Sequence, residues 1–416
     1  MSLMHRSLIS SLMALTLALP LCTYAAGQYV SVSATEPSVN TYKPQNYINP
    51  NGYGSHYVNA PASSSPTVLV VFLGGTGSNP FSYTGLVDEA AIASSGYKTN
   101  YAAIGLAYIN GSLTQTIGMA CDKATNKTKG ASSPSTDDCF TQMRGENTFG
   151  SGVHYPGLSK VYDAAAYTSA YNYPSTSLGD SIINRLVFLI DYMACKDTKQ
   201  PSFWSKFLVD DTSNSSPYVS PHSADCSTLN YSRRVLPKWS QIVLAGHSQG
   251  GGAAGFTAMN VPGGVRRVAM FSSPQDNLNG NKSVPSTDPS NIVASWITAA
   301  TQTPLPHFYG LRNASGATTP NNDAEGDYGN NVFNSWLYLG MATASGGLGG
   351  TGLNTATSVV DGGVVPGNGS HNLYLTSPAY SLPLSNHNSS AVDSTASSSE
   401  KIIWDWMLSA GGTDTD

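Results

Sequence analysis

Buried-type strand runs alternating with helical patterns predict an α/β protein, and three stretches carry that expectation. Ile242, Val243 and Leu244 form an apolar, β-favouring run that stops at Gly246, as in a strand covered on both faces. Residues 67–73 (TVLVVFL) are a second such run and lead into the glycine-rich loop Gly74-Gly75-Thr76-Gly77. Residues 180–193 (DSIINRLVFLIDYM) instead space their apolar side chains at helical intervals behind an acidic first residue, which favours a helix start.

The first of these runs opens the most informative segment, residues 241–259, QIVLAGHSQGGGAAGFTAM. Gly246-His247-Ser248-Gln249-Gly250 is a G-x-S-x-G string between a strand and a helix. A chain that turns that sharply holds the central serine in a strained conformation, so the residues two positions away must be small. The small residues Gly251 to Gly255 then let the helix start pack on the strand, with its free N–H groups facing the serine. On these residues the chain resembles the α/β-hydrolase superfamily, particularly its secreted esterases and lipases. The resemblance implies an α/β-hydrolase fold: an eight-stranded, mostly parallel central sheet flanked by helices. It also implies a Ser, acid, His triad in that chain order, with Ser248 as nucleophile.

Composition narrows the class. At 416 residues a single domain over 26–416 is expected, because α/β sheets with insertions often use this length. Charged residues are 11% of the chain against about a quarter in ordinary domains, so uncharged polar groups must cover the surface. A net charge of −5 with no basic cluster argues against a nucleic-acid partner. His5 and Arg6 precede an apolar run over residues 8–21 and the small-residue site Thr23-Tyr24-Ala25, so residues 1–25 read as a signal peptide and the mature protein as secreted, extracellular or periplasmic. That run is too short to span a bilayer, and Leu21 is too bulky for lipidation at Cys22, so no stable membrane insertion is expected. Cys121, Cys139, Cys195 and Cys226 remain after export, an even count that reads as disulfides. Sequence proximity favours Cys121 with Cys139 and Cys195 with Cys226, although three pairings are open. Their spacing does not suit zinc, and no metal is expected.

Taken in order, residues 27–66 suggest outer strands and loops without chemistry. The loop after residues 67–73 sits where the resembling family approaches its substrate with backbone, so the N–H of Thr76 joins that of Gln249 as the expected oxyanion hole. A phosphate cradle is disfavoured there, because the loop lacks the lysine of a P-loop. Residues 86–95 read as a helix and 101–109 as a strand. Insertions are expected near 112–179 and 196–240. In the first, Arg144 with Glu146 reads as an ion pair or loop brace; in the second, Trp204 and Phe207 either pack on the sheet or line a cleft. Later strands are read at 266–272 and 306–311, and helices at 291–300, 331–341 and 400–408.

The acid of the triad is expected after the 306–311 strand, where Asp323, Glu325 and Asp327 lie. Asp327, nearest the following helix, is preferred; Asp323 stands behind it, and Asp276 is the alternative one strand earlier. The base must be a downstream histidine, since imidazole both takes and returns a proton near neutral pH. If residues 372–376 are the last strand, His387 falls between last strand and last helix and is preferred. If residues 357–360 are, His371 is the candidate. His247 and His307 read as structural. The expected activity is therefore cleavage of a carboxylic ester, either polymeric or lipidic or small and soluble, by a monomer without a cofactor. A peptidase or acyltransferase with the same triad, or a silent binding protein on the same fold, are the alternatives.

Overall fold

The computed structural model describes residues 28–31, 55–60, 67–91, 101–111, 116–118, 120–121, 138–165, 175–196, 201–222, 226–278, 293–313, 325, 327–341, 356–359, 371–375, 383–392 and 401–409. The expected signal peptide and Asp323 lie outside the described residues. Strands β1 (Gln28–Ser31) and β2 (Ser55–Asn59) come first. They are followed by β3 (Val68–Leu73), α1 (Thr84–Ala91) and β4 (Tyr101–Leu106). Helices α2 (Cys139–Phe149) and α3 (Ile182–Lys196) precede three strands, β5 (Leu208–Asp210), β6 (Val219–His222) and β7 (Leu229–Pro237). Then come β8 (Ile242–His247), α4 (Gln249–Asn260), β9 (Arg267–Phe271) and β10 (Phe308–Asn313). The chain continues through α5 (Asp327–Leu339), β11 (Ala356–Val359), β12 (Asn372–Leu375), α6 (Pro383–Asn388) and α7 (Lys401–Ser409).

Among the described residues, nine strands form the central sheet, in the order β1-β2-β4-β3-β8-β9-β10-β12-β11, one more than the resemblance implies. Pairing is parallel from β4 through to β11, and antiparallel where β1 meets β2 and β2 meets β4. Both candidate last strands exist: β12 inserts between β10 and β11. The register pairs Leu73 with Gly246, His247 with Phe271 and Phe271 with Leu311. The carboxyl ends of the central strands therefore share one level, where parallel α/β sheets build their sites.

Each central strand is apolar on both faces because helices cover both. Leu69, Val71 and Leu73 of β3 join the core formed with α2, α3, α4 and α5, whereas Val68, Val70 and Phe72 point to the core shared with α1 and α7. This strict alternation is the strand period of two, with each fully buried aliphatic side chain worth about 1.5–3 kcal/mol. No helix among the described residues is long and apolar enough to cross a membrane.

The two cysteine pairs are disulfides, Cys121–Cys139 and Cys195–Cys226, as sequence proximity favours. The first pins the start of α2, whose N-terminus is capped by the Asp138 carboxylate accepting from the Thr141 N–H at 2.9 Å. Within 196–240 the three strands make a separate antiparallel sheet, order β5-β7-β6. Trp204 and Phe207 are fully buried, so they pack rather than line a cleft. The expected helix at 291–300 is instead a single 3₁₀ turn, Ser295–Thr298. Val293 bridges Asn277 and the Trp296 indole donates to Asp276 at 2.9 Å, which draws the segment out along the sheet end.

Candidate active site

Ser248 stands alone between β8 and α4 with φ 54 and ψ −122, a region that L-residues rarely enter. Neighbours hold it there. Its N–H donates to the Phe271 carbonyl at 2.9 Å, and its carbonyl accepts from the Ser273 hydroxyl at 2.6 Å and the Gly252 N–H at 3.2 Å. The flanking glycines are required by contact: a Cβ on Gly250 would lie 2.1 Å from the Leu73 carbonyl oxygen, and one on Gly246 would lie 2.4 Å from the Gly250 carbonyl carbon. Ser248 itself is partly exposed, in an otherwise buried turn.

His387, in α6 just beyond β12, has its Nδ1 3.0 Å from Oε2 of Glu325. The other carboxylate oxygen of Glu325 accepts from the Ser272 hydroxyl and from the Asn313 N–H, each at 2.7 Å. The acid is thus tied to the carboxyl ends of β9 and β10. A hydrogen on Nδ1 facing this carboxylate leaves Nε2 as the basic nitrogen of the neutral ring. The Gln275 amide nitrogen lies 3.3 and 3.4 Å from the two ring nitrogens. His387 also meets the neighbour of Ser248: its ring lies 4.8 Å from that of His247, whose Nε2 is 3.0 Å from the His387 carbonyl oxygen.

Several expected placements change. The carboxylate beside the histidine is Glu325, fully buried, rather than Asp327, which opens α5. Glu325 sits in a turn between Ala324 and Gly326, and those small neighbours are the one local signal that singles it out from the other two carboxylates. Asp276 is engaged elsewhere: Arg144 grips it through Nε and Nη2 at 2.9 and 2.7 Å, and both side chains are buried. Arg144 therefore pairs with Asp276 and not with Glu146, whose oxygens accept from the Ala164 and Thr176 N–H groups and the Ser175 hydroxyl. His371 is at the wrong end of the sheet. Its Nδ1 lies 3.0 Å from the carbonyl oxygen of Phe308, where β10 begins, whereas Glu325 meets Asn313, where β10 ends. Five strand residues separate those levels by roughly 17 Å. Burial lowers the pKa of His371, as it does for a ring serving as an internal brace. His307 likewise braces the main chain, its Nδ1 2.7 Å from the Arg266 carbonyl oxygen.

The loop after β3 lies directly over Ser248. A Cβ on Gly75 would sit 3.2 Å from the Ser248 Cβ and 3.0 Å from His247 Nδ1, so any larger residue would crowd both, and glycine lets the main chain come this close. Asn110 donates to the Gly75 and Ser78 carbonyls at 2.7 and 2.8 Å, and the Tyr108 hydroxyl donates to the Gly74 carbonyl at 2.7 Å. Thr76 and Gln249, the expected oxyanion residues, are joined by a 3.0 Å hydrogen bond from the threonine hydroxyl to the glutamine side-chain oxygen. Arg144 Nη1 donates to the Gln249 carbonyl at 2.5 Å, which fixes the first residue of α4 from the side of the insertion. Chemically, the arrangement brings to one end of the sheet a hydroxyl on a strained turn, an imidazole aligned by a carboxylate, and two chain segments able to present main-chain donors. Among the described residues, no group of three His, Cys, Asp or Glu side chains could hold a metal ion.

A family model described as Mbeg1-like matches residues 215–277, the stretch that runs from the small antiparallel sheet through Ser248 to Asp276. Comparison with curated proteins finds no match, and comparison with solved structures finds none either.

Proposed function

We propose that the protein is an exported serine hydrolase of the α/β-hydrolase type that cleaves carboxylic esters through a Ser248, His387, Glu325 triad. One observation carries the reading: the sheet that presents Ser248 at φ 54 also brings a histidine with a carboxylate 3.0 Å from its Nδ1 to the same end. The strand order supports it, with the nucleophile after β8, the acid after β10 and the base after β12, all beyond carboxyl ends. The two disulfides are compatible with an extracellular site of action.

In this reading the Ser248 Oγ attacks the ester carbonyl while His387 Nε2 takes its proton. Glu325 holds the ring and stabilises the imidazolium that forms. The N–H groups of Gln249 and Thr76 receive the negative charge on the carbonyl oxygen. Collapse expels the alcohol with the proton from His387, leaving an acyl-serine. Water, deprotonated by the same imidazole, then releases the acid and restores the serine.

The test is turnover of p-nitrophenyl butyrate by the wild-type chain and by Ser248→Ala and His387→Ala. The expected result is hydrolysis that falls by about 10⁴-fold or more in either variant. Hydrolysis unchanged in Ser248→Ala would remove the nucleophile and with it the reading.

A further inference from the structure

His247 ends β8 immediately before Ser248 and is buried. Its Nε2 lies 3.0 Å from the His387 carbonyl oxygen, and its Nδ1 lies 3.1 Å from the Tyr83 hydroxyl. A carbonyl can only accept, so Nε2 carries the hydrogen. Burial pulls the pKa of this imidazole down to about 3, with repulsion from His387 adding to the effect, so at neutral pH the ring is uncharged and Nδ1 is a bare acceptor. Tyr83 must then donate to it. The Tyr83 oxygen is also 3.2 Å from the Ser78 hydroxyl, but Ser78 gives its own hydrogen to the Gly75 carbonyl at 2.6 Å, and the imidazole is the nearer and stronger acceptor. On its other side the Tyr83 oxygen accepts the Gly75 N–H at 2.9 Å.

These bonds run in one direction: Gly75 N–H to Tyr83, Tyr83 O–H to His247 Nδ1, and His247 Nε2–H to the His387 carbonyl. Dipoles aligned head to tail strengthen one another in a dry interior. The chain begins one residue before Thr76, on the loop above the serine, and ends on the main chain of the histidine that meets Glu325.

We propose that His247 is a positioning residue that sets the loop bearing Thr76 and the segment bearing His387 at a fixed separation, through Tyr83 on one side and a direct main-chain bond on the other. The proposal rests on the roles given above to Ser248 and His387. It states which contact keeps the oxyanion donors and the base in step, since both must hold their places around one reacting carbonyl to within a fraction of an ångström.

Two isosteres separate the two bonds. In His247→Gln the amide nitrogen reaches the position of Nε2 and retains the donor to His387, whereas in His247→Asn the amide oxygen reaches the position of Nδ1 and retains the acceptor for Tyr83. With p-nitrophenyl butyrate each variant should lower kcat by about tenfold while KM changes by less than about twofold. Adding Tyr83→Phe should cost less in His247→Gln, where only its bond to the Gly75 N–H is left to lose, than in His247→Asn, where the bond to residue 247 is lost as well. Equal effects of Tyr83→Phe in every background, or an unchanged kcat in folded His247 variants, overturn the proposal. A second readout does not need turnover: imidazole nitrogen NMR on histidine-labelled wild-type protein should find His247 as the neutral Nε2–H tautomer from about pH 5 to about pH 9. Tyr83→Phe should then shift the ring signals of both His247 and His387. An Nδ1–H tautomer for His247, or His387 signals that ignore Tyr83→Phe, defeats the coupling. A wild-type chain that hydrolyses no ester but passes the NMR test would sink the proposed activity and leave the coupling standing.

Discussion

Glu325 is fully buried and spends one oxygen on His387 and the other on Ser272 and Asn313. Glu325→Gln keeps the shape but offers either a neutral oxygen or a competing amide N–H to the imidazole. It is expected to lower kcat by about 10²–10⁴-fold with little change in KM, while Asp327→Asn leaves kcat within about twofold of wild type. Comparing the two in one ester assay decides which carboxylate orients the base. Gly250 gives a second prediction, because its Cβ position is already occupied by the Leu73 carbonyl. Gly250→Ala should lower stability by about 1–3 kcal/mol in urea unfolding and displace Ser248 as well. The serine was legible in the sequence because its requirement is local: small neighbours, a strand before and a helix after. The carboxylate beside His387 was not, since three carboxylates lie within five positions, the small neighbours of Glu325 are a weak signal, and tertiary contact with Asn313 and Ser272 is what sets it apart.

At the scale of elements, α2 of the first insertion reaches the site by way of Arg144. The buried guanidinium satisfies both the Asp276 carboxylate and the Gln249 carbonyl, and Trp296 completes the shell around Asp276. Arg144→Ala leaves a buried carboxylate without its cation and is expected to cost about 3–5 kcal/mol, read from the urea midpoint. The Cys121–Cys139 bridge tethers the same helix across a sequence separation of 18 residues. Opening it with Cys121→Ser and Cys139→Ser together should cost about 3 kcal/mol, also by urea unfolding, on the chain-entropy account. Long apolar runs and amphipathic helices were legible because periodicity states them directly. The three strands at 208–237 were not, as β5 and β6 are short, β6 and β7 mix Pro, Ser and, in β7, charged residues, and Val209 of β5 is exposed. Residues 291–300 look helical by composition, yet contacts of Val293 and Trp296 with 276–277 outweigh local preference.

For the molecule as a whole, buried histidines set the response to acid. His56 and His247 are both held neutral by burial, with pKa values lowered from 6.5 to about 3. His56 has a structural reason to stay so, since its Nδ1 accepts from the Ala107 N–H at 3.0 Å. The unfolded chain binds protons at both sites below pH 6.5 and the folded chain does not, so their stabilisation is fully present above 6.5 and is lost as pH falls toward about 3. Each site contributes a slope of about 1.4 kcal/mol per pH unit in that window. Asp180, whose pKa burial raises, acts with the opposite sign and only near the carboxylate range. The urea midpoint should therefore drop between about pH 7 and about pH 5, and His56→Gln should flatten that drop. At this scale the class of fold was legible, an α/β arrangement around a largely parallel sheet. The insertion of β12 between β10 and β11 was not, because two short strands of similar character leave their lateral order open. The central claim, that Ser248 is a nucleophile activated by His387 and Glu325, is met most directly by treating the folded protein with a fluorophosphonate and mapping the adduct by peptide mass spectrometry. One adduct is expected, on the peptide holding Ser248, abolished by Ser248→Ala and slowed by about 100-fold or more in His387→Ala. An adduct on any other residue, or labelling that proceeds undiminished in Ser248→Ala, contradicts it.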